Sequence, residues 1–196
     1  RTLYLFIYFS VVDEVQSLLI CSQQPFIALA GDDVILPCHL EPATNTRFWK
    51  VVWTKPDLDP KYIHVHQAGL NISDTGQYWC LLPPILTEVP VQLIVGSVST
   101  PVMEVISNIS GTLDLQCESK GWYPEPELLW LDAEGKILSA GPTETVRGPD
   151  DLHTVSSRVT VEKRHSNNIT CRVQQRNINQ TRETQIHVPS GNVSEK

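Results

Sequence analysis

Hydrophobic and polar residues alternate along this chain in short runs broken by turn-forming clusters, the period-two pattern of half-buried β-strands. Val89-Pro-Val-Gln-Leu-Ile-Val95 places Val89, Val91, Leu93 and Val95 on one face. In Lys50-Val-Val-Trp-Thr54 the same alternation turns Val51 and Trp53 inward and Lys50, Val52 and Thr54 outward. Gln23 to Ala30 and Val34 to Cys38 read as two strands separated by the turn Gly31-Asp32-Asp33. Beyond the loop Lys55 to Pro60, Lys61 to His66 reads as another, and Gly96-Ser-Val-Ser-Thr-Pro101 reads as a linker. The predicted fold class is all-β.

Two cysteine–tryptophan–cysteine series lie on this pattern. Cys117 is followed by Trp130 and then Cys171, and Cys38 is followed by Trp53 and then Cys80. Each series resembles an immunoglobulin sandwich, in which an inter-sheet disulfide packs on a buried indole. Trp49 competes with Trp53 for that place, and the spacing favours Trp53. Gly121-Trp-Tyr-Pro124 and Cys171-Arg-Val-Gln-Gln175 are similar to constant-type domains, and the turn predicts a cis peptide before Pro124. Ile169 stands where a constant-type domain would carry its corner tyrosine, so that hydrogen bond is missing. Asp74-Thr-Gly-Gln-Tyr-Trp-Cys80 resembles the E–F turn and strand F of variable-type domains, which gives Tyr78 the corner role. The resemblance implies tandem β-sandwiches, variable-type then constant-type, with bridges Cys38–Cys80 and Cys117–Cys171. Cys21 is then left over from five cysteines.

Length and composition refine this organisation. A chain of 196 residues accommodates two domains of about 100 residues. The expected divisions are a leader or signal-peptide remnant over 1–21, a variable-type domain over 22–96, a linker over 97–101, a constant-type domain over 102–188 and a polar stalk over 189–196. The apolar run Leu3 to Phe9 suits a signal peptide, and no run of 18 apolar residues is present. A net charge of −7 argues against nucleic acid as a partner. Five of the eight asparagines, Asn71, Asn108, Asn168, Asn179 and Asn192, lie in Asn-x-Ser/Thr sequons, the mark of a glycosylated ectodomain in an oxidising compartment.

The stretches Gly31 to Cys38, Val52 to Pro60 and Gly121 to Glu127 together resemble the ectodomains of butyrophilins and butyrophilin-like proteins, with myelin oligodendrocyte glycoprotein a similar relative. That resemblance extends over about residues 22–188 and departs at one place. Between His66 and Asp74, where a variable-type domain carries strands C″, D and E, this chain has only Gln67 to Ser73. Seven extended residues reach about 25 Å, enough to cross a sandwich once but not to form three strands. The first domain is therefore expected to be shortened. The arginine that commonly partners the E–F aspartate is missing too, since none occurs between Trp53 and Asp74.

Catalytic chemistry finds little support. His64 and His66 share a strand face but lack a nearby third ligand, and no nucleophile elbow, dinucleotide fingerprint or phosphate loop occurs. Neither an enzyme nor a cofactor or metal is expected. The stronger candidate is a protein-binding surface. With Tyr78 and Cys80 inward, alternation turns Trp79 and Leu81 outward beside the apolar, proline-stiffened segment Leu82-Pro83-Pro84-Ile85-Leu86. Tyr62 and His64, with Lys50 and Thr54, would surround it. The resemblance implies a membrane-anchored cell-surface ligand that binds a receptor on T cells or other leukocytes through its distal domain and modulates T-cell activation. Homophilic adhesion, with the chain as a homo-oligomer, is the alternative on the same fold.

Overall fold

The computed structural model of the chain describes residues 18–36, 38–42, 52–56, 62–63, 69–83, 87–109, 111–163 and 167–190. The chain divides into two compact units: residues 1–24, 36–65 and 77–91, and residues 25–35, 66–76 and 92–196.

In the first unit, β1 (Leu18–Cys21) pairs antiparallel with β3 (Cys38–Glu41) as a two-stranded sheet. Between them in the chain lies β2 (Phe26–Leu29), which joins β4 (Val52–Thr54), β5 (Tyr62–Ile63), β6 (Gly76–Leu82) and β7 (Thr87–Gly96) in a sheet of order β2-β7-β6-β4-β5. β2 runs parallel to the end of β7, with Phe26 opposite Leu93 and Leu29 opposite Gly96, both segments belonging to the second unit. The alternation foreseen on β6 and β7 is present in Tyr78, Cys80, Val91, Leu93 and Val95, which are buried, while Val89 is half-buried; Leu82, read as part of the apolar segment beyond the strand, is instead a buried residue of β6. Trp53 lies opposite Cys80 and packs on the cluster of Leu19, Cys21, Cys80, Leu82 and Val91.

Two expectations are corrected here. Leu18–Cys21, assigned to the leader, is a strand, with Leu19 and Cys21 buried. Cys38, expected to bond Cys80, is instead bonded to Cys21, and Cys80 is a buried free thiol. The β1–β3 register explains this pairing. It sets Cys21 directly opposite Cys38, with Cα atoms 4.2 Å apart, the spacing of the closer class of antiparallel pair. The strand expected over Val34–Cys38 also starts later. Its ladder partner is β1, whose last residue meets Cys38, so Val34 to Leu36 are without a partner strand and Ile35 is 86% exposed.

In the shortened segment, Gly69 and Leu70 are held on the turn after β2. The Gly31 and Leu70 amides donate to the Leu70 and Asp32 carbonyls, and the Gly69 amide donates to Asp33 Oδ1. Asn71 then caps a single 3-10 turn, Ile72–Asp74, by accepting from the Ser73 amide while Asp74 accepts from the Asn71 amide. Among the described residues, this turn is the only regular element between β5 and β6.

The rest of the second unit is a complete constant-type sandwich. Its strands are β8 (Val102–Ile109), β9 (Thr112–Trp122), β10 (Glu127–Leu131), β11 (Glu144–Arg147), β12 (His153–Glu162), β13 (Asn167–Gln175) and β14 (Gln180–Val188). They form sheets of order β11-β12-β9-β8 and β10-β13-β14, the four-plus-three division of constant-type domains. The Cys117–Cys171 disulfide is present as expected and joins the two sheets, with Cα atoms 6.4 Å apart. Around it pack Leu115, Trp130, Val155, Ile169 and Val173. The Tyr123–Pro124 peptide is cis.

Both buried indoles in this domain are satisfied through serine. Trp130 Nε1 donates to Ser157 Oγ at 3.2 Å, and Ser157 Oγ donates to the Gly141 carbonyl. Trp122, fully buried, donates to Ser119 Oγ at 2.8 Å, and Ser119 Oγ donates to the Ser99 carbonyl at 3.1 Å. Ser97 completes the attachment of the expected linker by exchanging backbone hydrogen bonds with Tyr123. We expect Ser119→Ala to lower stability by about 1–3 kcal/mol, because it strands a buried indole N–H and leaves the Ser99 carbonyl without this donor. Urea denaturation of the full chain checks this; a loss of less than half a unit on that scale would mean water replaces the hydroxyl.

Candidate protein-binding surface

Strand alternation and ladder register place the candidate surface. Because Tyr78 and Cys80 are buried, Trp79 and Leu81 project from the opposite face of β6. Both are half-buried. Trp79 is opposite Thr54 and Thr54 opposite Tyr62, so the three form one row across β6, β4 and β5. Leu81 is opposite Val52 in the next row on that face. Pro83 is exposed just beyond β6. Thus Trp79, Leu81 and Pro83 lie consecutively along one strand and its exit, and the backbone of Tyr62 is in the Trp79 row. Pro84, Ile85, Leu86, His64 and the Tyr62 side chain lie outside the described residues.

Beneath this face, Lys55 is buried, its ammonium 5.3 Å from the centroid of the buried Tyr78 ring. A cation thus supports β6 from the inner side, where the sequence had assigned Tyr78 a corner role.

The outer faces of the constant-type domain differ in chemistry. Directly opposed residues there form polar pairs: Arg158 Nε donates to Gln116, Thr160 Oγ1 to Asp114, and Arg172 pairs with Glu183. Such exposed pairs each contribute little, but they leave those faces hydrophilic. Exposed apolar residues interrupt this on the edge strands, at Val146 on β11 and, as the larger group, at Val102, Val105, Ile106 and Ile109 on β8. The sequence reading placed no strand over Val102–Ile109, and the register shift between Val105 and Ser107 removes the strict alternation that would have marked one.

Four sequon asparagines, Asn71, Asn108, Asn168 and Asn179, are exposed, and Asn192 lies outside the described residues. Asn179 is at a left-handed position after the 3-10 turn Arg176–Ile178. Asn71 uses Oδ1 for its cap, which leaves Nδ2 for a glycan.

Similarity to known proteins follows the same division. Residues 98–183 match the family model described as "Butyrophilin subfamily 3 member A2-like, Ig-C domain". The constant-type domain is thus similar to the Ig-C domain of butyrophilins. Human "Butyrophilin subfamily 2 member A2" is 24% identical over 201 aligned positions, which include 84% of this chain and 38% of that protein. The chain therefore spans about two fifths of the length of that curated relative. The crystal structure of bovine butyrophilin superposes with a TM-score of 0.68 at 21% identity, over 87% of this chain and 98% of that one. A chain in the crystal structure of ICOS in complex with ICOS-L and an anti ICOS-L VNAR domain matches with a TM-score of 0.53 at 17% identity, over 83% of this chain and 98% of that one. These likenesses extend the fold of the bovine butyrophilin structure over most of this chain.

Proposed function

We propose that this butyrophilin-like chain is the glycosylated ectodomain of a membrane-anchored cell-surface ligand. It binds a protein receptor on T cells or other leukocytes and modulates their activation. The observation that carries this reading is the outward, half-buried Trp79 and Leu81 on a broad sheet that continues into exposed Pro83. A large aromatic held rigidly by strand pairing presents contact area at small entropic cost, which is the property of a binding hot spot. The constant-type domain, with its hydrophilic paired faces, acts as a spacer between this surface and the membrane. Similarity to a chain in a receptor–ligand crystal structure supports protein recognition as the mode of action.

A multimerised, glycosylated form of the chain tests this on resting and activated leukocytes. We expect selective T-cell staining and altered proliferation, with both lost in Trp79→Asp. Removing a hot-spot aromatic should weaken binding by at least about thirtyfold. The variant keeps the inner face of β6 intact, so its fold should survive, and circular dichroism checks this. Unchanged affinity of a folded Trp79→Asp protein would exclude this face, and self-association without leukocyte staining would favour adhesion.

A further inference from the structure

β8 is an edge strand of the sheet β11-β12-β9-β8, so one side of its backbone faces no neighbouring strand in that sheet. Such an edge is a template for pairing with another chain, and charge, proline or a bulge usually discourages it. Here Glu104 is the only charged residue on the strand. The bulge between Val105 and Ser107 interrupts the ladder but sets Val105 and Ile106 side by side in solvent, 46% and 50% exposed. Backbone pairing is weakened, and apolar surface is left uncovered.

Asn108 stands next to that surface. Val105 is opposite Leu115 and Asn108 opposite Leu113, residues two apart on β9, with Ile106 as the extra residue of the bulge. Val105 and Asn108 are therefore successive residues on one side of β8, roughly 7 Å apart. Asn108 is exposed and begins the sequon Asn108-Ile109-Ser110. Lys163 Nζ donates to Asn108 Oδ1 and, at 3.4 Å, to the Ile109 carbonyl. That contact engages the oxygen of the carboxamide and leaves Nδ2, the atom that carries a glycan, outside it.

We propose that an N-glycan on Asn108 covers the apolar edge of β8 and keeps a second copy of the chain from pairing along it. Its attachment forms a bond from Nδ2 to the anomeric carbon of an oligosaccharide carried on a lipid diphosphate. The bond from that carbon to the diphosphate oxygen breaks, its electron pair leaves with the diphosphate, and the amide gives up one proton. The first sugars branch from the residue beside Val105, so they lie over Val105 and Ile106. They also fill the space in which an added strand would run, about 4.8 Å from β8. This role rests on the proposed glycosylated ectodomain and is independent of the receptor that Trp79 contacts.

Secretion of the chain from cells that attach N-glycans, followed by glycopeptide mass spectrometry and sedimentation velocity, tests the cover. We expect Asn108 to be occupied in the unaltered chain. Ser110→Ala removes the sequon but keeps Asn108 and its contact with Lys163, and it should self-associate at a concentration lower by about tenfold or more. Adding Ile106→Lys, a charge on the exposed edge, should return that variant to the behaviour of the unaltered chain. Thr181→Ala removes only the Asn179 sequon and should change nothing; equal association of this variant would make the effect one of general solubility and overturn the proposal. If Ser110→Ala is retained in the cell, recovery of secretion by Ile106→Lys supports the cover, and continued retention overturns it. Glycans at other sequons but not at Asn108 overturn the cover and leave the ectodomain standing, whereas glycans at none overturn both. Unchanged self-association of Ser110→Ala, or an increase that Ile106→Lys does not reverse, shows that the Asn108 glycan covers no pairing edge.

Discussion

Trp130→Ala is expected to destabilise the constant-type domain by about 3–5 kcal/mol, the cost of truncating a fully enclosed aromatic side chain. Trp130 is 2% exposed and packs in one cluster with Cys117, Cys171, Leu128 and Val173. The substitution removes the largest contact surface on the inter-sheet disulfide and opens a cavity that the paired strands β10 and β13 cannot close, because their ladder fixes both backbones. It also withdraws the indole donor from Ser157, although that hydroxyl keeps the Gly141 carbonyl as a partner. The cavity is therefore the larger effect. Urea denaturation followed by hydrogen exchange at β9 and β13 separates this domain from the rest of the chain. The midpoint should fall by more than about 1 M. A change of under 1 kcal/mol would mean that neighbouring side chains refill the space and that the indole is not the centre of the core.

The constant-type domain was legible in the sequence because its signals are local and mutually consistent. The spacing of Cys117, Trp130 and Cys171 agrees with the turn at Tyr123–Pro124 and with the run Cys171 to Gln175. Each signal restricts the same sandwich, so an error in one would have been exposed by the others. The variable-type domain was legible on β6 and β7 for the same reason. It was misread at its beginning, where Leu18–Cys21 is too short and too apolar to be distinguished from the end of a leader by composition. The odd cysteine was the available warning. Counting five cysteines showed that one had an unassigned role, but linear spacing could not reveal that Cys21 would face Cys38 across a ladder. Register is a tertiary property. The β8 patch escaped because no strand was read over Val102–Ile109, where a bulge breaks the alternation that marks a strand in sequence.

The shortened segment shows how a chain can omit strands and retain a sheet. Its backbone groups are not left unpaired at Gly69 and Leu70, which bond to the turn after β2, nor at Asn71 and Ser73, which are capped locally. Thr75 contributes a further tie, because its hydroxyl accepts from the Val95 amide at 2.9 Å. These contacts settle the entry to β6, and with it the face on which Trp79 projects. Among its described residues the segment provides no strand beside β3, whose partner is β1. The β1–β3 pair and the cysteine bond across it therefore take the place of a wider sheet.

The double substitution Cys117→Ala/Cys171→Ala should have an effect comparable to that at Trp130, by a different route. The bridge spans 54 residues, and in the chain-entropy model its loss frees the unfolded chain by about 4 kcal/mol. Removing both sulfurs also thins a core in which both cysteines are fully enclosed. For a domain of about 90 residues such a loss lowers the melting temperature by roughly 15–30 °C. Replacing both cysteines, rather than one, avoids leaving a reactive thiol that could pair with Cys21 or Cys80 and confuse the comparison. The Cys21–Cys38 bond spans only 17 residues and constrains strands already in register, so removing it should cost less. Calorimetry of the two double variants distinguishes these contributions. A shift of under about 5 °C for Cys117→Ala/Cys171→Ala would show that packing of Trp130, Leu115 and Val155, and not the bridge, sets the stability of this domain.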